Sequence, residues 1–325
     1  MTGAVDAAPA AELTDHADAT RTPRLAAGQT SFLTLRDGAR VRIARFPAAD
    51  ASPRAHILIM PGYSEFIEKY LEVIDDLLQR GFAVVCFDWR GQGLSTRAHP
   101  LRRGWVLDFD QYLDDVEEIV AFCDLAAPLI GLGHSMGGHL LIRTLQRNRL
   151  PFKAAAVTAP MQGLKGLPTP LARAVAWLAD TLGFGERYAG TATDTDPHGP
   201  HQPLSSDPAR IERWRGYLRA DKQLITHPVT YHWIRVAARS MAQSMRTELG
   251  AQIRTPLLIV NPSADTLVEP KAARRFTANC DAATLAEVPT SEHEILHEVD
   301  SLRDAFWRHF DAFVDGVLEA PTTGG

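Results

Sequence analysis

Pro128-Leu129-Ile130-Gly131-Leu132-Gly133-His134-Ser135-Met136-Gly137-Gly138-His139-Leu140-Leu141-Ile142-Arg143 is the stretch that decides the fold. An apolar run of strand length passes through Gly133-His134-Ser135-Met136-Gly137 into a helical pattern, giving the order strand, G-x-S-x-G, helix. Such a turn is so sharp that its serine takes a strained conformation. Glycines two residues to either side let neighbouring backbone pass without a Cβ clash. The Ser135 hydroxyl is then held out at the carboxyl edge of a sheet, as a nucleophile candidate. The helix starting there aims its N-terminal amides and dipole at the same point, where they stabilise charge developing on a substrate oxygen. A bare G-x-S-x-G is common and also fits a Gly/Ser turn without chemistry; the flanking strand and helix favour the nucleophile.

Outward from this elbow, apolar runs of strand length fall at His56 to Met60, Ala83 to Phe87, Ala154 to Thr158, Leu257 to Asn261 and Thr284 to Val288. Helical patterns separate most of them, at Tyr70 to Arg80, Asp108 to Leu125, Met136 to Arg147 and Lys271 to Asn279. Strands alternating with helices predict an α/β fold with a parallel sheet covered on both faces. Asp108 followed by Gln111 predicts a capped start for the second helix. Upstream, Ser31 to Leu35 and Val41 to Phe46 alternate around Asp37-Gly38, so the sheet opens with an antiparallel hairpin. Residues 1–29, rich in Ala, Thr, Asp and Pro, are expected to be a disordered extension. Residues 30–160 and 250–318 then form the core, with a short tail at 319–325. From 161 to 249 the chain offers helices and no convincing strand, which predicts a helical cap inserted between core strands. Within it Leu171, Val175, Leu178 and Leu182 share one helical face, read either as packed core or as the lining of a substrate groove. Gly190 to Pro208 reads as an irregular lid segment.

Composition narrows the classes. The 325 residues, 45% hydrophobic, support a large core, and a net charge of −5 gives no basic face, so nucleic acid is not an expected partner. Three cysteines cannot all pair, and Cys86 lies in an apolar run. The N-terminus has no signal-peptide pattern, and no run nears the ~20 apolar residues that span a bilayer. A cytoplasmic protein, at most peripheral to the inner face of a membrane, is the expectation.

A serine is a weak nucleophile unless a base lies within hydrogen-bond reach and a third group orients that base. After Leu257 to Asn261 comes Pro262-Ser263-Ala264-Asp265, and after Leu285 to Val288 comes Pro289-Thr290-Ser291-Glu292-His293. Asp265 and His293 thus follow successive strand ends, as Ser135 does. An oxyanion hole needs two backbone donors: Met136, after the serine, and one from Pro61-Gly62-Tyr63-Ser64-Glu65, where Gly62 lets the chain turn inward and leaves the Tyr63 amide. Glu65 is read either as a surface residue or as a contact for the leaving alcohol.

Pro61-Gly62-Tyr63-Ser64-Glu65-Phe66-Ile67-Glu68-Lys69-Tyr70, Phe87-Asp88-Trp89-Arg90-Gly91-Gln92-Gly93-Leu94-Ser95 and the elbow make the chain resemble the bacterial lysophospholipase and monoacylglycerol lipase branch of the α/β-hydrolases. The resemblance continues through Ser206-Asp207-Pro208 to Trp233, Ala264-Asp265 and His293-Glu294. It differs at Pro61-Gly62, where relatives often carry His-Gly. It implies the α/β-hydrolase fold with a cap, a Ser135-His293-Asp265 triad, and hydrolysis of glycerolipid acyl esters with no metal or cofactor. Other acyl-serine chemistries (general carboxylesterase, thioesterase, peptidase, acyltransferase) remain alternatives, as does a non-catalytic small-molecule binder. His293-Glu294-Ile295-Leu296-His297 also matches the zinc pattern H-E-x-x-H, set aside because His293 already has a role. Each buried methylene is worth ~0.8 kcal/mol, so about eight in an apolar groove offer roughly 6 kcal/mol, enough to make an acyl chain dominate recognition. Trp177, off the apolar cap face, is expected to touch a membrane interface.

Overall fold

The computed structural model describes residues 29–50, 52–97, 99–125, 128–165, 170–189 and 204–320, the side chains of 170–172 apart. Asp37-Gly38 closes the opening hairpin, with Gly38 at a φ of 87° that favours glycine. It joins β1 (Gln29–Thr34) to β2 (Arg40–Phe46), antiparallel from Gln29 opposite Arg45 to Thr34 opposite Arg40. The extension expected over 1–29 lies outside the described residues except for Gln29, which already belongs to β1.

The chain then alternates: β3 (His56–Met60), α1 (Leu71–Gln79), β4 (Ala83–Phe87), α2 (Phe109–Cys123), β5 (Leu129–His134), α3 (Ser135–Arg147) and β6 (Phe152–Thr158). Among the described residues the α-helices that follow are α4 (Pro170–Ala179), α5 (Pro208–Ala220), α6 (Tyr231–Ser244) and the short α7 (Thr247–Gly250). The sheet resumes with β7 (Leu257–Pro262), α8 (Pro270–Thr277), β8 (Ala283–Val288) and α9 (Asp300–Glu319). Strand order is β1-β2-β4-β3-β5-β6-β7-β8, parallel from β4 onward. The predicted fold class, a mostly parallel sheet with helices on both faces, is the one observed. One face packs Phe109, Tyr112, Leu140, Leu141 and Phe276; the other packs Phe66, Tyr70, Leu77, Phe306 and Phe310. Every residue of β5 and β7 is buried, as strands covered on both sides must be.

The expected cap at Asp108 is present, and two boundaries, at Pro208 and Glu319, differ from the sequence reading. Asp108 caps α2 by accepting from the Asp110 amide at 3.0 Å, but Gln111 accepts from the Leu107 amide, one residue earlier than a capping box requires. Pro208, expected at the end of the lid segment, is the first residue of α5, with Asp207 accepting from the Ala209 and Arg210 amides. Residues 190–203 of that segment lie outside the described residues. Glu319, placed in the tail, is the last residue of α9.

Candidate active site

Strand register brings the site together. Met60 of β3 lies opposite Gly133 of β5, His134 opposite Thr158 of β6, and Pro262 of β7 opposite Val288 of β8. The carboxyl ends of neighbouring strands therefore line one edge, and the segments leaving them converge there. Ser135 sits at φ 50°, the left-handed backbone that an elbow imposes. A Cβ on Gly137 would overlap the Met60 and Pro61 carbonyl oxygens, and one on Gly133 would stand 2.8 Å from the Gly138 Cα. Alanine at Gly137 would push α3 away from the end of β3, and at Gly133 it would push β5 and α3 apart. The Met161 amide donates to the Ser135 carbonyl at 3.0 Å, fastening the elbow to the end of β6.

Ser135 is partly exposed, whereas His293 and Asp265 are buried. His293 Nε2 lies 2.9 Å from Ser135 Oγ, and its Nδ1 lies 2.7 Å from Asp265 Oδ2. The other Asp265 oxygen accepts from the Leu267 and Val268 amides at 2.7 and 2.9 Å. Burial opposes charge on Asp265, but the His293 imidazole and the two amides outweigh it and hold the carboxyl below its usual pKa. Burial likewise opposes a charged His293, yet the Asp265 carboxylate, with Glu294 and Glu65 behind it, raises the imidazole above its ordinary value. The three residues singled out in sequence thus form one hydrogen-bonded chain.

The loop after β3 is pinned on several sides. Trp89 Nε1 donates to the Pro61 carbonyl at 2.7 Å, the Ser64 amide donates to Gln92 Oε1 at 2.6 Å, and the Gly62 amide donates to the Glu65 carboxylate. With its neighbours' amides committed, the Tyr63 amide is the donor left over. Among the described residues neither it nor the Met136 amide donates to another group of the chain. The Tyr63 hydroxyl donates to the His227 carbonyl at 2.6 Å and its ring lies 5.0 Å from that of Trp233, so the loop is also tied to the cap. The Phe87 to Ser95 motif supports it from below. Asp88, fully buried, accepts from the Ile67 amide at 2.9 Å, the Leu94 amide at 2.7 Å and Arg42 Nε at 2.7 Å.

Glu65 is not a surface residue, and its carboxylate is engaged within the chain. It is 4% exposed, with its oxygens taken by the Gly62 amide, the Tyr70 hydroxyl at 2.5 Å and Lys69 Nζ at 2.6 Å. The i,i+4 spacing of Glu65 and Lys69 was visible in sequence, but nothing there showed that the pair faces inward. The H-E-x-x-H stretch is also resolved. Ile295–His297 is a single tight turn, and His297 directs Nδ1 to Glu294 at 3.2 Å and Nε2 to the Lys69 carbonyl at 3.0 Å, away from His293. All four ring nitrogens of the two histidines are committed to other groups.

The cap stripe needs correction. Val175, Leu178 and Leu182 are 46, 50 and 61% exposed, so they are not packed core, while Ala176 on the opposite side is buried. The Leu171 side chain lies outside the described residues. α4 packs against α6 with Ala176 buried, and its bulky Val175, Trp177 and Leu178 turn outward. Trp177, at 53%, is exposed beside them.

A nucleophile elbow, a histidine and a carboxylate in hydrogen-bonded series, and two amides at the same sheet edge define a serine hydrolase of the α/β-hydrolase class. Residues 51–300 match the serine aminopeptidase S33 family, and the chain belongs to it. It is 31% identical over 286 residues to Lysophospholipase L2 of Escherichia coli strain K12, covering 82% of each chain. It is 26% identical over 255 residues to a monoacylglycerol lipase of Mycolicibacterium smegmatis, covering 77% of this chain and 84% of that one. Its fold superposes on a soluble variant of monoglyceride lipase from Saccharomyces cerevisiae with a TM-score of 0.71 at 19% identity, over 89% and 96% of the two chains. The family resemblance read from the motifs is borne out.

Proposed function

We propose that the protein hydrolyses the single acyl ester of a lysophospholipid or monoacylglycerol through an acyl-Ser135 intermediate. The observation that carries this is the Ser135-His293-Asp265 chain standing beside the uncommitted Tyr63 and Met136 amides. Ser135 attacks the ester carbonyl while His293 takes its proton, and the two amides hold the tetrahedral oxyanion. His293 then protonates the leaving alcohol, and water activated by the same imidazole releases the acid. Asp265 fixes the tautomer throughout. In other hydrolases one such oxyanion donor is worth about 10²- to 10³-fold in rate.

The aminopeptidase of the family's description uses the same acyl-serine step. Two things favour a lipid. Relatives that this chain covers over most of their length include a lysophospholipase, a phospholipase and a monoacylglycerol lipase. The outer cap helix and the turn after it also expose Val175, Trp177, Leu178, Leu182 and Phe184, an apolar surface suited to the interface where such substrates reside. Contact with that interface is peripheral in this reading; no helix among the described residues is long and apolar enough to cross a membrane.

Intact-mass analysis after fluorophosphonate treatment, paired with turnover of lysophosphatidylcholine, monoacylglycerol and aminoacyl amides, tests the proposal. One adduct on wild type and none on Ser135→Ala, with cleavage of the monoacyl lipids, is expected. No adduct on folded wild type, or cleavage of the amides alone, would overturn it.

A further inference from the structure

Behind the triad lies a buried charge cluster to which the reaction as written gives no part. Lys69 is 9% exposed, and its Nζ is 2.6 Å from Glu65 Oε1 and 2.7 Å from Glu294 Oε1. The two carboxylates have different attachments. Glu65 receives the Gly62 amide and so sets the loop that presents the Tyr63 amide. Glu294 follows the base His293 in the chain; its second oxygen faces His297 Nδ1 at 3.2 Å and His134 Nε2 at 3.6 Å, and its backbone amide donates to Leu204, just before α5, at 2.7 Å. His134, next to Ser135, has its ring 4.9 Å from that of His293.

We propose that Lys69 is a positioning residue whose ammonium bridges the oxyanion loop to the histidine loop and holds the two halves of the reaction centre in register. The inference rests on the reading of Ser135, His293 and the Tyr63 amide given above. The ligand atoms of Glu65, His134 and Glu294 lie within 4.8 Å of one another, a spacing that suits a cation. The Lys69 ammonium, at hydrogen-bond distance from both carboxylates, is that cation. His134 stays neutral, since burial pushes it down to about 4. One lysine and two carboxylates then leave the cluster a net negative charge facing the imidazole of His293. Burying two carboxylates with no counter-charge is costly, so without the ammonium one of them must take up a proton or swing away. Either change loosens the grip of Glu65 on Gly62 or moves the segment carrying His293.

Lys69→Met keeps the length of the side chain and removes its charge. With a soluble p-nitrophenyl ester, kcat is expected to fall about 10- to 100-fold, less than the loss of a whole oxyanion donor, with KM changed by no more than about twofold. An alkylboronic acid, which forms a tetrahedral adduct with the serine, should lose affinity in the same proportion as kcat/KM. Glu294→Gln removes a negative charge facing His293, so the acid limb of kcat/KM should move to lower pH. The double variant Lys69→Met with Glu294→Gln leaves the cluster's net charge unchanged. It should keep the acid limb near that of wild type while kcat stays low, and it serves the same test where the single lysine variant does not fold. If the cluster only supports stability, the variants melt earlier while kcat per folded molecule, boronate affinity and acid limb all match wild type. That result would overturn the proposal. Fluorophosphonate labelling of wild type separates the two readings: failure to label removes the Ser135 assignment, whereas labelling with unaffected variants removes only the bridge.

Discussion

The turn at Asp88 and the outer cap helix α4 are built on opposite rules. Asp88 has no exposure and meets Arg42, two amides and, through its carbonyl, the Ser95 hydroxyl at 2.7 Å. Each lost partner there would strand a buried polar group, so the turn has one conformation. α4 keeps Ala176 inside and spreads Val175, Trp177 and Leu178 over its outer surface, each about half exposed. The comparison teaches that the reacting centre is over-determined by buried polar contacts, while the face that would meet the lipid surface is anchored at its far end, where Asp180 meets His232 at 3.1 Å and Arg235 at 2.5 Å.

Five substitutions would break or sharpen that contrast. Ser135→Ala should lower kcat/KM on the order of 10⁴-fold or more without altering the urea midpoint, because a hydroxyl is lost and no cavity opens. Gly137→Ala should destabilise the fold by about 3 kcal/mol, seen in equilibrium unfolding, since its Cβ would overlap two backbone oxygens; Leu178→Ala, on the outer cap, should stay within about 0.5 kcal/mol. A Gly137→Ala protein as stable as wild type would show that the elbow is less tightly packed than its geometry implies.

Next in size is the response to acid. Burial holds His134 at about 4 and His139 at about 3 in the folded chain, against 6.5 when unfolded. Between pH 6.5 and 4 the unfolded state therefore binds protons that the folded state does not, and stability falls as pH falls, by at most about 1.4 kcal/mol per pH unit for each histidine. His293, raised rather than lowered, acts with the opposite sign: its contribution is full below 6.5 and is lost as pH rises through its folded value. Urea midpoints across this window should decline toward acid, and His139→Gln should flatten the decline. The smallest effect expected is that of Trp177→Ala, which should weaken partition onto phospholipid vesicles about tenfold while leaving kinetics on a soluble ester unchanged. Unchanged partition would remove the cap face from membrane contact.

Much of the site was legible because it obeys local rules. The elbow needs glycines at fixed offsets from Ser135, and Asp265 and His293 each follow an apolar strand run, so pattern and position together single them out. Glu65 was misread because a glutamate beside an exposed turn and one beneath a folded loop look alike in sequence; only packing put Lys69 and Glu294 against it. The apolar stripe of α4 was misread for the converse reason. Its periodicity announces a helical face, but not whether that face turns toward the protein or away from it.

The chain's own pattern therefore determined the α/β class, the opening hairpin and the residues fit for acyl transfer, since strand runs, turn glycines and chain order are local properties. Tertiary structure alone decided that residues 62 to 69 and 294 to 297 share one buried cluster, and which side of the cap faces outward. The first depends on contacts across more than 200 residues of sequence, where burial determines which charges must be paired, and the second on which side α4 lays against α6; no local period records either.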